Sequence, residues 1–308
     1  MKIRISLFLA LTALILLPAT SSWAQQQGLQ RLRLGVAVGA DEAMRERIEP
    51  FRLYLEDELD IPVDLFLIDT LGELTEALVK GDIDYARLSP ASYAAAFTQC
   101  ACVEPLATAR PDHFPARFYS VLIVKSTDQS ATLSDLKGGR LGVGQPNSIS
   151  SYRVPLSNLL AEGIDVRQHF RTSVRVKDPV EGLQAVLEER VDASLGWSTL
   201  SGKTETGYTA GTLNELFTSG AAGLDKLQIV WRSPAIPYNA HAVRTDLPDE
   251  RKRALRGALL ELRDASPAAY FSIEPDFPGG LEPVVHADYR AMLRSYAPEF
   301  QEVLEAKP

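Results

Sequence analysis

Short apolar runs alternate with helix-periodic segments along nearly the whole chain, and this rhythm restricts the fold more than any single motif does. "RLGVAV" at 33–38 reads as a strand ending at Gly39, and residues 43–59 carry Ile48, Phe51, Leu55 and Leu59 on one helical face. "VDLFLI" at 63–68 reads as the next strand and 71–80 as a helix closed by Gly81. Residues 84–88 form a strand running into Ser89-Pro90, where Pro90 suits a first helical position. Near-continuous apolar strands of this kind imply a mostly parallel sheet covered by helices on both faces. A second unit follows: strands at 117–126, 139–144, 172–176 and 191–197, with helices after Ser148 and over 180–190. Strands at 227–233 and 239–245 and helices at 249–263 and 289–306 complete the pattern. Residues 201–223, rich in Gly and Ser, read as a loop. No solenoid period is present.

The expected fold class is therefore α/β, with two lobes, each a mostly parallel sheet flanked by helices, and a cleft between them. The first lobe is discontinuous, 25–116 and 229–308; the second is 117–228. In open parallel sheets ligands bind beyond the carboxyl ends of the strands. Two turns fall there, one in each unit: "RLSPASY" at 87–93 and "GVGQPNSISS" at 142–151.

The second turn places Ser148, Ser150 and Ser151 where a helix begins, ahead of Leu156, Leu159 and Leu160 at three-and-four spacing. The first N–H groups of a helix have no intrahelical partner and the dipole favours negative charge, so such a turn can hold an anion. One serine alone would also serve as an N-cap, and these residues by themselves leave both readings open. Arg153, in the first turn, is a cation at the unfavourable end of the dipole and hints at a nearby anion. Arg87 could face an anion too, but a local carboxylate or solvent is the favoured partner.

The first residues, "MKIRISLFLALTALILLPATSSWAQQ", join Lys2 and Arg4 to an apolar core and a small-residue site at Ser22-Trp23-Ala24. This is the pattern of a signal peptide cleaved after Ala24, and an exported protein is expected. Its apolar core is too short for a membrane span, and no cysteine follows it to carry a lipid. Removing the leader takes the formal charge from −8 to −10, because Lys2 and Arg4 are its only charged residues. An acidic chain without basic runs is poorly suited to nucleic acid or an anionic membrane. A small anionic ligand stays open, because local donors decide a buried site.

Cys100 and Cys102 are the two cysteines, one residue apart. Partners so close seldom meet disulfide geometry, and two thiols are too few for zinc, so they are expected as packing residues beside a strand. His113, His169, His241 and His286 are scattered without metal-ligand spacing, and neither a metal nor a cofactor is expected. No nucleophile elbow, phosphate-binding loop or dinucleotide fingerprint stands in context.

Several pieces, in order and at consistent spacing, carry a resemblance: "LRLGVAV", "GDIDYARLSPASYAAA", "EPLATA", the stretch from "FYSVLIVKS" to "NLLAEGID", "AVLEERVDAS" and "LQIVWRSPAIPYNAHAVRTDLP". From about Leu32 to Leu262 the chain resembles the phosphonate/phosphite/phosphate-type solute-binding proteins of ABC transporters, a branch of the two-lobed type II periplasmic binding proteins. The resemblance implies a ligand contact from Tyr93 in the turn beginning at Ser89. It also implies an oxyanion held by the loop 148–151, with Ser148 and Ser150 matching the family's usual Ser-Thr-Ser-Gly. Here Ile149 replaces the Thr and Ser151 the Gly, and no histidine stands near Lys177–Val180, where the family often has one.

The candidate ligand residues are thus Tyr93, Ser148, Ser150, Ser151, Ser89, Tyr119 and Trp197. Tyr119 could equally be a packing residue of a hinge strand, and Trp197 could belong to core or cleft. The expected function is a periplasmic receptor for a small oxyanion-bearing ligand, phosphonate-like or an organic acid, working as a monomer with an ABC permease. The alternatives are a ligand sensor for a membrane receptor such as a sensor kinase, and, remotely, a serine hydrolase. The last lacks a base at motif spacing.

Overall fold

The chain builds two six-stranded sheets, one in each lobe. A computed structural model describes residues 30–37, 42–126 and 131–305, so the expected leader and its cleavage site lie outside the described residues. The first sheet runs β12-β4-β11-β3-β1-β2, from β1 (Leu32–Ala37), β2 (Val63–Ile68), β3 (Tyr85–Leu88), β4 (Val103–Ala109), β11 (Ala240–Arg244) and β12 (Leu281–Pro283). The second runs β10-β5-β8-β6-β7, from β5 (Arg117–Lys125), β6 (Arg140–Val143), β7 (Thr172–Arg175), β8 (Ala193–Ser198) and β10 (Ile236–Pro237), with β9 (Leu227–Arg232) also on β5. Parallel pairing is confined to β2-β1-β3 and β7-β6-β8. The remaining pairs are antiparallel, because β11 and β5 re-enter their sheets from the opposite lobe. The sheets are therefore mixed, where the apolar runs alone implied mostly parallel ones.

Helices α1 (Glu42–Leu59), α8 (Asp249–Ala265) and α9 (Pro267–Ile273) cover one face of the first sheet, around Phe51, Leu55, Leu255 and Tyr270. Helices α2 (Leu71–Lys80) and α3 (Pro90–Cys100) cover the other, around Leu74, Leu78 and Tyr93. In the second lobe α4 (Val154–Ala161) and α5 (Val166–His169) lie opposite α6 (Pro179–Leu187) and α7 (Thr212–Thr218). Thus α7 interrupts the stretch expected as loop.

The two lobes set their parallel register with the same device. Asp84, just before β3, accepts from the Arg33 backbone N–H at 2.9 Å and from its guanidinium. Asp192, just before β8, does the same for Arg140, whose N–H is 2.7 Å away. A one-residue slip would break three bonds at once and turn the strand's core face outward.

The structure departs from the expected lobe boundaries in two places. β9 pairs with β5, so the boundary expected at 228/229 falls inside the second sheet. The chain also crosses a third time at its end. α10 (Arg290–Arg294) packs on α3 and α4, and α11 (Pro298–Glu305) packs on α4 with Val303 and Leu304 in the second lobe's core. Tyr152 donates to the Leu304 carbonyl at 3.1 Å and Arg153 to that of Ser295 at 2.9 Å. Hence Arg153 meets a helix-end carbonyl and the Tyr296 ring, 4.9 Å from its guanidinium, which accounts for a cation in that turn.

Cys100 and Cys102 form a disulfide with Cα atoms 5.0 Å apart, correcting their expected role as free packing thiols. Ala101 between them takes φ 49° as the C-cap of α3, and this left-handed residue folds the two side chains back together. A strand through the pair would have pointed them to one face but too far apart.

Candidate functional site

The carboxyl edge of the second sheet carries the serine turn. After β6 the chain passes Gly144, and Ile149–Arg153 form a π-helical turn continuous with α4. The Arg153 N–H reaches the Ser148 carbonyl at 2.9 Å, which widens this first turn beyond α geometry. Ser148 is the cap: its hydroxyl accepts from the Ser151 N–H at 3.3 Å and shares a 2.7 Å bond with the Ser151 hydroxyl. Ser151 is buried beneath it, against Gly144. Of the three serines, Ser151 orients and Ser148 is oriented. The Ser150 hydroxyl has no partner among the described residues, while its carbonyl accepts from Ser120.

Gly144 is required by this packing. A Cβ there would fall on the Ser151 hydroxyl. Gly144→Ala is expected to push Ser151 off Ser148, to cost about 1–3 kcal/mol by overpacking, and to weaken ligand binding. Urea unfolding and a binding titration on the same variant check both.

The wall facing this turn is aromatic. Phe118 stands 6.0 Å edge-on from Trp197 and 5.4 Å from Tyr238, and Tyr238 stands 4.9 Å from Phe277. The four half-buried rings run from β8 across the crossing strands to the first lobe. The Trp197 backbone N–H donates to the Thr212 hydroxyl at 3.0 Å, and its side chain bonds Glu215, whose carboxyl is pushed up by burial. Ile149 and Phe118 pack with Ala91 of α3 on one interlobe cluster around Ala94, Val154 and Met292. An apolar residue at 149 is therefore part of the contact between lobes.

Strand periodicity decides which ring of β5 faces the serines. Phe118 and Ser120 share the α4 face, whereas Tyr119 points to the α6 side with Arg232 5.4 Å over its ring. Tyr119 is thus a packing residue, and Phe118 and Tyr238 are the rings that sequence reading missed. The alternation of side chains along a strand was the available signal, but an all-apolar strand does not say which face is which.

Tyr93 is not at the cleft surface. It is fully buried in the first lobe, 4.6 Å from the Tyr289 ring, with its hydroxyl 2.8 Å from His286 Nδ1. Burial pushes the pKa of the Tyr93 hydroxyl up and that of the His286 imidazole down. The fourth residue of α3 faces the 3-10 turn His286–Tyr289, just before α10, which arrives from the far end of the chain. Ser89 caps α3, accepting from the Ser92 N–H and donating to its hydroxyl, both at 3.0 Å. The structure thus places Ile149 of the serine turn and Phe118 in one interlobe cluster, with Trp197 and Tyr238 next to Phe118, while Ser151, Ser89, Tyr93 and Tyr119 make bonds and contacts within their own lobes.

This geometry, two lobes with a donor-rich helix start at the strand ends, agrees with an independent comparison. The family model described as "ABC transporter, phosphonate, periplasmic substrate-binding protein" matches residues 36–294. The chain belongs to this family. It is therefore a periplasmic substrate-binding protein of an ABC transporter, with a small-molecule ligand and a membrane permease as its partners.

A curated relative, the phosphonates-binding periplasmic protein of Escherichia coli (strain K12), is 25% identical over 258 residues, 82% of this chain and 72% of that one. Among solved structures, XAC2383 from Xanthomonas citri bound to ATP is 18% identical, covers 89% of this chain and 98% of its own, and has a TM-score of 0.54. Transferrin 1 from Manduca sexta, 14% identical with a TM-score of 0.59, covers 89% of this chain with 47% of its own length. At such identities these two likenesses establish the fold alone. Among the described residues of this family member, no helix is long and apolar enough to cross a membrane.

Proposed function

We propose that the protein captures a small organic oxyanion, a phosphonate or a related organic acid, and presents it to the permease. The observation that carries this reading is the serine turn itself. Ser148 is held by Ser151, the Ser150 hydroxyl has no partner among the described residues, and both stand at the start of a helix, where the dipole favours an anion. The rings of Phe118, Trp197 and Tyr238 offer the organic portion an apolar wall, which favours a substituted oxyanion over free phosphate. The curated relative is named for phosphonates, which supports the same chemistry.

None of the described hydrogen bonds to Ser148, Ser150 or Ser151 comes from a His or Lys side chain, the bases that activate a serine nucleophile. Binding without catalysis is the reading this supports. A mature chain starting after Ala24, a monomeric state and delivery to a permease instead of a sensor kinase complete the proposal.

Thermal-shift screening of methylphosphonate, phenylphosphonate, phosphite, phosphate, sulfonates and carboxylates tests it. A ligand at 100 times its dissociation constant adds about 2.7 kcal/mol of stability, a readily measured shift. Stabilisation by the phosphonates is the expected result. Stabilisation by cations or uncharged compounds alone would refute the oxyanion.

A further inference from the structure

A second site lies wholly within the first lobe. Arg87, near the carboxyl end of β3, lines a cavity of about 510 Å³ bounded by β1, the start of α2, α1 and α9. Its guanidinium commits one edge to the protein: Nε donates to Glu274 Oε1 at 2.7 Å and Nη2 to Oε2 at 2.9 Å. Glu274 is fully buried and also accepts from Asn239 at 3.2 Å and His241 at 3.1 Å. Its charge is thus met from inside the fold, and the bidentate clamp fixes the orientation of Arg87. Nη1 has no partner among the described residues, and the side chain is 29% exposed. The free Nη1–Nη2 end is a fork that an oxyanion can take with two parallel bonds.

The rest of the wall is mostly apolar, with Val36, Ile48 and Ile273 facing the cavity and Arg47 adding a second cation. Leu71 and Phe271, two of the few large apolar side chains left exposed on the described surface, both line it. A single exposed apolar residue is ordinary, but two on one concave wall beside an aimed cation describe a ligand pocket.

We propose that this cavity binds a small organic acid, with its oxyanion on Arg87 and an alkyl or aryl body against Leu71 and Phe271. The site is made from the first lobe alone, so it does not depend on what the serine turn of the second lobe holds.

Calorimetric titration with octanoate tests the proposal, with acetate as the anion without a body and octanamide as the body without a charge. Saturable octanoate binding at one site is expected, at least about tenfold tighter than either control, since a charge-assisted bond and an apolar contact are each worth that much. Ala268→Trp fills the cavity from an exposed position on α9 outside the Glu274 network. Arg87→Met combined with Glu274→Gln removes the ion pair without orphaning either partner. Both variants should keep their melting transition and lose at least about tenfold in octanoate affinity. Ser148→Ala with Ser150→Ala should leave octanoate binding unchanged. Absence of saturable binding, binding untouched by both cavity variants, or binding lost with the serines would each overturn the assignment.

Discussion

Glu274→Leu is expected to destabilise the protein by about 3–5 kcal/mol, because it leaves a guanidinium and a buried imidazole without their shared acceptor. Glu274 has no exposed surface, and four donors converge on it from Arg87, Asn239 and His241. On its other side His241 Nδ1 is 2.5 Å from the Tyr85 hydroxyl, so the buried chain of bonds runs from Glu274 through the imidazole to the phenol. The loss should appear as a fall in melting temperature of roughly 5–15 °C by calorimetry. Arg87→Met with Glu274→Gln should recover most of it, since an amide still accepts from His241 and Asn239 while no unpaired charge remains. If the single and double variants melt alike, the ion pair is not what holds this corner.

The same network predicts a pH dependence. Burial alone would raise the Glu274 carboxyl, but the bonds from His241 and Arg87 outweigh it and hold it below the usual carboxylate range. A group depressed in the folded state contributes stability above its unfolded value, near 4.3, and loses that contribution as pH falls through the folded value. The wild type should therefore lose stability more steeply than Glu274→Leu as the medium is acidified below about pH 4. Parallel acid limbs for the two proteins would count against it.

Ser148→Ala combined with Ser150→Ala is expected to cost at least a hundredfold in affinity for the oxyanion ligand while the fold survives. A hydrogen bond to a charged group contributes about 1.5–3 kcal/mol, so two together amount to roughly 150-fold or more. The stability cost is smaller. Ser148 caps its helix through the Ser151 N–H, so its loss costs about 1 kcal/mol, and the Ser150 hydroxyl bonds no group among the described residues. Ser89→Ala is the matched control: it removes the cap of α3 at similar cost and should leave affinity within about threefold, under 1 kcal/mol. Calorimetric titration of all three proteins separates the effects. Equal affinity loss in Ser89→Ala and the double variant would show that helix capping, not ligand contact, is being measured.

The periodicities of the chain by themselves determined where the elements lie and that they build two α/β lobes. β2 and α2 occupy the residues their patterns marked, and Pro90 and Ser148 open helices because a fixed φ and a short hydroxyl act over one turn. Such signals are local and survive in one dimension. The order of the pieces also carried the family, because strand ends and helix starts recur at set spacing. What the tertiary structure alone decided are meetings between distant residues. Glu274 joins Arg87 across 187 positions, and nothing near either one marks the other. Phe118 rather than Tyr119 faces the serines because β8 and α4 define that face, and an apolar strand is equally sticky on both. Tyr93 turned inward because His286 and Tyr289 cover it, and His286 lies 193 positions further along the chain. Local pattern sets what a segment becomes; which of its faces meets ligand, core or partner lobe depends on segments that pattern cannot see.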